Sequence, residues 1–275
     1  MPLHKLTAFS DTPSGGNPAG VWLGDQLPAE AEMQRIAAEV GFSETAFIAP
    51  QTGPERTIRY FSPEIEVPFC GHATIASGVL LGQTAGAGRY LLHTQAGDVP
   101  VDVDTQDGLW RAALTSVAPR SETADPLLVS AALETLGWRA HQLDSSLPAA
   151  RAYAGAWHLV LAVSELATLN ALDYDFEGLK SLMQAHNLTT LQLIWRESDT
   201  VFHSRNPFPV GGVVEDPATG AAAAALGGYL RDSDLLATPA QFTIRQGEAM
   251  GRPSLLTVDV PLQGGIVVSG TAVSL

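Results

Sequence analysis

The chain has 275 residues, of which 45% are hydrophobic, with 15 Lys+Arg and a formal charge of -14. That length supports a core large enough to divide into two domains, and so acidic a balance excludes nucleic acid and acidic lipid as partners, because both are held by basic patches. A single Cys excludes an internal disulfide and places the chain in a reducing cytoplasm; the N-terminus lacks the apolar core of a signal peptide, and no stretch approaches the ~20 apolar residues of a membrane span.

Leu3 to Phe9 reads as a first strand, followed by the turn-rich loop Asp11-Thr-Pro-Ser-Gly-Gly-Asn-Pro-Ala-Gly and then Val21-Trp-Leu. Pro28 to Val40 carries Met33, Ile36, Ala37 and Val40 at helical spacing and ends at Gly41, as a helix with a left-handed cap would. Ser43-Glu-Thr-Ala-Phe-Ile-Ala begins a strand, Ile58-Arg-Tyr-Phe is another, and Ser62 to Phe69 forms a loop leading into a helix near Ala73. Ala118 to Ala124 is rich in Pro, Ser, Thr and Glu and reads as a linker. Beyond it Leu127 to Leu136 is helical, Trp157-His-Leu-Val-Leu-Ala-Val is strand-like, and Phe176 to His186 is a short amphipathic helix. Leu191-Gln-Leu-Ile-Trp and Thr200-Val-Phe-His-Ser are further strands.

The chain repeats itself. Arg59-Tyr-Phe-Ser-Pro leads to Cys70-Gly-His-Ala-Thr and a small-residue helix, and Val201-Phe-His-Ser-Arg leads to Asp216-Pro-Ala-Thr-Gly and the helix of Ala221 to Ala225. Each helix is followed by a Gln/Gly strand entry, His93-Thr-Gln-Ala-Gly and Ile244-Arg-Gln-Gly-Glu. Val99, Val101 and Val103, and later Leu256, Val258 and Val260, keep the period of two of half-buried strands. The period is about half the chain, far above that of a solenoid, so the expectation is a duplicated domain with pseudo-twofold symmetry and a cleft between the halves. The fold class is α+β, each half a barrel-like, mostly antiparallel sheet around a central helix. The first domain spans 1–118, with the C-terminal strand 265–275 as a candidate to complete it, and the second spans 125–264.

Glu44 stands where a glycine-capped helix gives way to an apolar strand, a setting that suits a proton-shuttling base, although a solvated acid or local cap would look the same. The turn Cys70-Gly71-His72-Ala73-Thr74 opens a helix whose free amides and positive dipole end favour an anion such as a substrate carboxylate. Against this, a lone Cys is commonly structural. Asp216 with Glu215 heads the second helix and would cap it by default; the repeat aligns this turn with the first, Cys70 answering to either Glu215 or Asp216. The seven His form no HxxxH or Cys/His cluster, so no metal site is expected. No Walker loop, GxGxxG or GxSxG elbow occurs, which argues against nucleotide and serine-hydrolase chemistry.

Several ordered motifs carry a resemblance. Gly16-Asn-Pro-Ala-Gly-Val, Ser43-Glu-Thr-Ala-Phe, Phe61-Ser-Pro-Glu-Ile-Glu-Val-Pro-Phe-Cys-Gly-His-Ala-Thr, Glu215-Asp-Pro-Ala-Thr-Gly and Gln246-Gly-Glu-Ala-Met-Gly-Arg-Pro-Ser together resemble the PhzF-type phenazine-biosynthesis isomerase family, which shares the diaminopimelate-epimerase fold. The resemblance covers essentially the whole chain. It implies two barrel-like domains with the active site between them, a homodimer, and a cofactor-independent isomerase in which Glu44 moves a proton on a carboxylate-bearing substrate like trans-2,3-dihydro-3-hydroxyanthranilate. It gives His72 and Asp216 further catalytic roles, and it places Cys70, Gly71, Ala73, Thr219 and Gly220 in the helix-start turns around the substrate. Two departures stand out. Ala221 replaces a family serine, and Cys70 occupies the place of a small apolar residue where related epimerases carry one of two thiols. The alternatives are therefore an amino-acid epimerase or racemase pairing Cys70 with an acid, and a catalytically silent small-molecule-binding protein.

Overall fold

A computed structural model describes residues 3–275. The elements run β1 (Leu3–Ala8), β2 (Asn17–Leu23), α1 (Glu30–Val40), β3 (Glu44–Pro50), β4 (Glu55–Phe61), β5 (Glu66–Val67), α2 (Gly71–Ala85), β6 (Gly88–Thr94), β7 (Gly97–Gln106), β8 (Leu109–Thr115), β9 (Arg120–Thr123), α3 (Pro126–Thr135), β10 (Ala150–Tyr153), β11 (Trp157–Val163), α4 (Leu166–Asn170), α5 (Phe176–Ala185), β12 (Thr190–Ser198), β13 (Val201–Phe208), β14 (Val213–Asp216), α6 (Gly220–Asp232), β15 (Ala240–Gln246), β16 (Ser254–Val260) and β17 (Val267–Ser274). The chain divides into two compact units, 1–115 with 269–275, and 116–268.

The first unit is a closed barrel of 8 strands. Around it β2 pairs with β1, β1 with the C-terminal strand β17, and β17 with β8. Antiparallel β8–β7 and β7–β6, parallel β6–β4, antiparallel β4–β3 and parallel β3–β2 complete the circuit. Closure removes free sheet edges and leaves a dry interior, which α2 fills. Residues His72 through Gly82 of α2 are all buried, as expected of a helix that is apolar on every side. Small side chains let the strands come close: a Cβ on Gly78 would stand 2.7 Å from Ala112 Cβ and 2.9 Å from Val101 Cγ1, and one on Gly82 would stand 2.5 Å from the Trp110 ring.

The second unit repeats the same sequence of strand directions. Antiparallel β10–β11, parallel β11–β12, antiparallel β12–β13, parallel β13–β15 and antiparallel β15–β16 follow the order of β1 to β7, with β14 attached to β13 as β5 is to β4. Its buried helix α6 carries Ala222, Ala223, Ala224, Ala225, Gly227 and Gly228. Alternate β11 and β12 residues, Leu159, Leu161, Leu191 and Leu193, face a further apolar layer with Leu128 and Ala132 of α3 and Leu179 and Met183 of α5. Residues 118–124, read above as a linker, instead carry β9, which pairs antiparallel with β10. Most of its side chains are exposed, so its composition is that of a loop while its backbone is that of a strand.

Two of these features have measurable consequences. Gly78→Val pushes methyl groups into β7 and β8 and should lower stability by about 1–3 kcal/mol, read as a lower urea midpoint. His158 is fully buried on β11, its Nδ1 2.8 Å from Thr190 Oγ1 and its Nε2 without a hydrogen-bond partner; burial drives its pKa down to about 3. The unfolded chain takes up a proton at this residue below about pH 6.5 and the native state does not. This contribution to stability is therefore fully present above about pH 6.5 and is lost as the pH falls toward 3, at about 1 kcal/mol per pH unit. Unfolding midpoints measured across that window should fall more steeply for the wild type than for His158→Asn, and equal slopes would refute the assignment.

Candidate active site

In the first unit, the left-handed cap of α1 at Gly41 (φ 71) turns the chain into β3, whose first residue is Glu44. Parallel pairing with β2 sets Glu44 opposite Ala19. The loop after β5 delivers Cys70 as the extended N-cap of α2 (φ -144, ψ 116), with no side chain capping the helix. His72 in the first helical turn then meets Glu44. Its Nε2 lies 3.4 Å from Glu44 Oε2 and 3.4 Å from Ser43 Oγ, and its Nδ1 lies 3.4 Å from Cys70 Sγ. Cys70 and His72 are buried, and the Glu44 side chain is 17% exposed, so Glu44 is the most exposed of the three.

A buried scaffold fixes the turn from behind. Thr74 Oγ1 donates to the Cys70 carbonyl at 2.7 Å, the Thr74 amide donates to the same oxygen at 3.0 Å, and Tyr60 on β4 bonds Thr74 Oγ1 at 2.7 Å. Burial raises the Tyr60 pKa far above the usual phenol range, so it remains a hydroxyl. With its carbonyl held this way, the Cys70 backbone is fixed at the entrance to the helix. Ala73 and Gly71 flank His72 in the same helical turn, where backbone amides and the dipole favour an anion.

The second unit places Asp216, Thr219 and Gly220 in a cluster of their own. Thr219 Oγ1 donates to Asp216 Oδ2 at 2.5 Å, and Gln246 at the end of β15 donates from Nε2 to the Asp216 carbonyl at 2.8 Å and to Thr219 Oγ1 at 3.0 Å, while accepting from the Thr219 amide at 3.2 Å. Gly247 follows with φ +75, and a Cβ there would fall 2.3 Å from the Arg252 carbonyl oxygen and 2.8 Å from that of Pro217. The Thr219 hydroxyl is thus committed to Asp216, and no side chain caps α6. Glu215 has a different task. It is buried and forked onto Arg205, with contacts of 2.6 and 3.1 Å, and Arg205 also donates to the carbonyls of Leu169, Asn170 and Leu172. Adjacent strand residues point to opposite faces, which is how two neighbouring acids come to hold different partners, Glu215 with Arg205 and Asp216 with Thr219.

The repeat register read from sequence needs correction. Val67 pairs with Tyr60 on β4 as Asp216 pairs with Asn206 on β13, and the helices begin at Gly71 and Gly220. Cys70 therefore answers to Thr219, the other N-cap, and His72 to Ala221, rather than Cys70 to Glu215 or Asp216. Sequence likeness was strongest in the turn residues, whereas strand pairing and the helix starts set the spatial equivalence. Ser43, Tyr60, Thr74 and Gln246 were also not singled out as site residues; the doubled Gln/Gly strand entry was the one signal that pointed toward Gln246.

The sequence profile of the PhzC-PhzF family, described as phenazine biosynthesis-like protein, matches residues 6–275. An uncharacterized isomerase of Bacillus subtilis is 32% identical, the match covering 98% of this chain and 94% of that protein. The trans-2,3-dihydro-3-hydroxyanthranilate isomerase of Pseudomonas chlororaphis is 33% identical over 91% of this chain and 87% of its own. A crystal structure of the Bacillus anthracis phenazine biosynthesis protein of the PhzF family superposes with a TM-score of 0.87 at 26% identity, covering 99% of this chain and 96% of that one. With a matching profile along nearly its whole length and the same doubled α+β architecture, the chain belongs to the PhzC-PhzF family of phenazine biosynthesis-like proteins and is an isomerase.

Proposed function

We propose that the protein is a cofactor-independent isomerase that relocates a proton on a small carboxylate-bearing substrate resembling trans-2,3-dihydro-3-hydroxyanthranilate, with Glu44 as the proton carrier. The observation that carries this reading is the placement of Glu44: a partly exposed carboxylate at the start of β3, with His72 Nε2 3.4 Å away and the uncapped first turn of α2 alongside. The ionised carboxylate takes a proton from a carbon activated by conjugation to the substrate carboxylate. The C–H electron pair moves into the conjugated system, and the protonated Glu44 then gives its proton to a different carbon. Nothing is oxidised or reduced, and a single acid/base group suffices because it ends each cycle as it began.

His72 serves as the neighbour that orients the Glu44 carboxylate, and Ser43 supplies a second hydroxyl contact to the same imidazole nitrogen. Amides at the starts of α2 and α6, around Ala73 and Gly220, are suited to hold carboxylate oxygens and to stabilise charge developing on the substrate. Asp216, fixed by Thr219 and Gln246, serves to orient polar groups of the substrate. The epimerase reading that pairs Cys70 with an acid has less support, because relatives matching nearly the whole chain are named isomerases, one of them a trans-2,3-dihydro-3-hydroxyanthranilate isomerase.

Glu44→Gln keeps the size and polarity of the side chain but removes the base. Enzyme-dependent exchange of substrate hydrogen with D2O, screened over cyclic and linear amino and hydroxy acids, should fall by about 10²–10⁴-fold in this variant while binding is largely retained. Wild-type exchange in Glu44→Gln would sink the assignment. Asp216→Asn should raise KM by about tenfold, the cost of one charge-assisted hydrogen bond, and lower kcat less; an unchanged KM would remove Asp216 from substrate contact.

A further inference from the structure

Three kinds of metal-binding atom converge in the first unit. A carboxylate oxygen of Glu44, Cys70 Sγ and a ring nitrogen of His72 all lie within 4.8 Å of one another. Zinc holds sulfur at about 2.3 Å and nitrogen or oxygen at about 2.0–2.2 Å, so a tetrahedral ion sets neighbouring donors about 3.3–3.7 Å apart. His72 Nε2 is 3.4 Å from Glu44 Oε2 and 3.8 Å from Cys70 Sγ. Two of the three donor-to-donor separations therefore already match zinc within small side-chain adjustments. The donors combine thiol, imidazole and carboxylate, all of which zinc accepts.

The charge balance favours a cation. Among the described residues His72 is the only ion-pair partner of Glu44, and no Lys or Arg is paired with it. The backbone on either side is rigid: Cys70 is held through its carbonyl by Thr74, and Glu44 is anchored in strand pairing on β3. Proton transfer by Glu44 makes no use of a thiol, so the sulfur next to it is unexplained by that chemistry.

We propose that Zn2+ binds Glu44 Oε2, Cys70 Sγ and His72 Nε2, leaves its fourth position to water, and acts as a reversible inhibitor. On binding, the Cys70 thiol releases its proton to solvent, His72 keeps its proton on Nδ1, and each donor atom contributes a lone pair; no electron is transferred. The inhibitory part rests on Glu44 being the proton carrier, because the lone pair given to zinc is the one that would accept the substrate proton. The binding part is independent of that reading.

Titration of the intact protein with Co2+ as a spectroscopic stand-in should produce a near-ultraviolet sulfur-to-cobalt charge-transfer band that saturates at one ion per chain and is displaced by Zn2+. Cys70→Ser should abolish the band, and Glu44→Gln and His72→Gln should each weaken Zn2+ binding, measured by competition with a chromophoric chelator, by no less than the about 10–100-fold that loss of an outer-shell partner costs. Saturating Zn2+ should stop the D2O exchange, and EDTA should restore it. A wild-type protein that gives no charge-transfer band overturns the site, whether or not the variants fold. Metal binding without a sulfur signature places the ion elsewhere, for instance at His93, Asp98 and Glu55, and also overturns it. A full band with undiminished exchange overturns the inhibition alone. Should exchange instead survive Glu44→Gln, the proton-carrier assignment fails while the cobalt spectrum still decides the metal site.

Discussion

Burial of a small-residue helix inside a closed sheet is the constraint on which the rest of this protein depends. A barrel interior has no water to satisfy backbone groups, so whatever fills it must pair its own amides and carbonyls, and a helix does so along its length. Its first turn is the exception, because the amides there have no partners within the helix. In the first unit that turn carries Cys70, Gly71, His72 and Ala73, so the turn whose amides find no partner within the helix is also the one that bears a thiol and an imidazole. In the second unit the same place is taken by Thr219, Gly220 and Ala221.

Close packing fixes the axial position of the helix and hence that of the turn. Gly78 and Gly82 let β7 and β8 approach so tightly that no added methyl fits, and a helix locked at these points cannot slide. Tyr60 and Thr74 then fix the rotation of the N-cap through the Cys70 carbonyl. Glu44 arrives from a separate element, β3, whose register is set by parallel pairing to β2 and antiparallel pairing to β4. The distance of 3.4 Å between Glu44 and His72 is thus the outcome of two independently fixed parts.

Duplication supplied two such helix starts and divergence made them unlike. Equivalence of Cys70 with Thr219 and of His72 with Ala221 shows that the first copy holds ionisable groups at the helix start itself, whereas the second holds its acid, Asp216, three residues earlier on β14 and ties it to the N-cap hydroxyl. Gln246 has taken over as the brace of the second turn. Each copy has kept its strand directions while exchanging the side chains that meet at the helix start.

Much of this was legible in the chain. Alternation at Val99, Val101 and Val103, the Gly41 cap, the repeated approach to a small-residue helix and the two turns are local patterns, and local patterns follow from backbone periodicity and capping chemistry alone. They marked Glu44, His72 and Asp216 as residues to watch and identified the family. Other features were not legible because they depend on partners distant in sequence. The exposed side chains of β9 disguised a strand as a linker, the apparent turn-to-turn likeness hid the true register of the repeat, and Glu215 could not be told from Asp216 until Arg205 was seen to claim it. The absence of Cys/His metal spacing along the chain was likewise a statement about neighbours in sequence, and folding brought Glu44 to Cys70 and His72 from another strand. The sequence by itself determined which residues open each buried helix, since that is written in local periodicity; only the tertiary structure decided which side chains those openings face, since that depends on how strands distant in the chain pair and close.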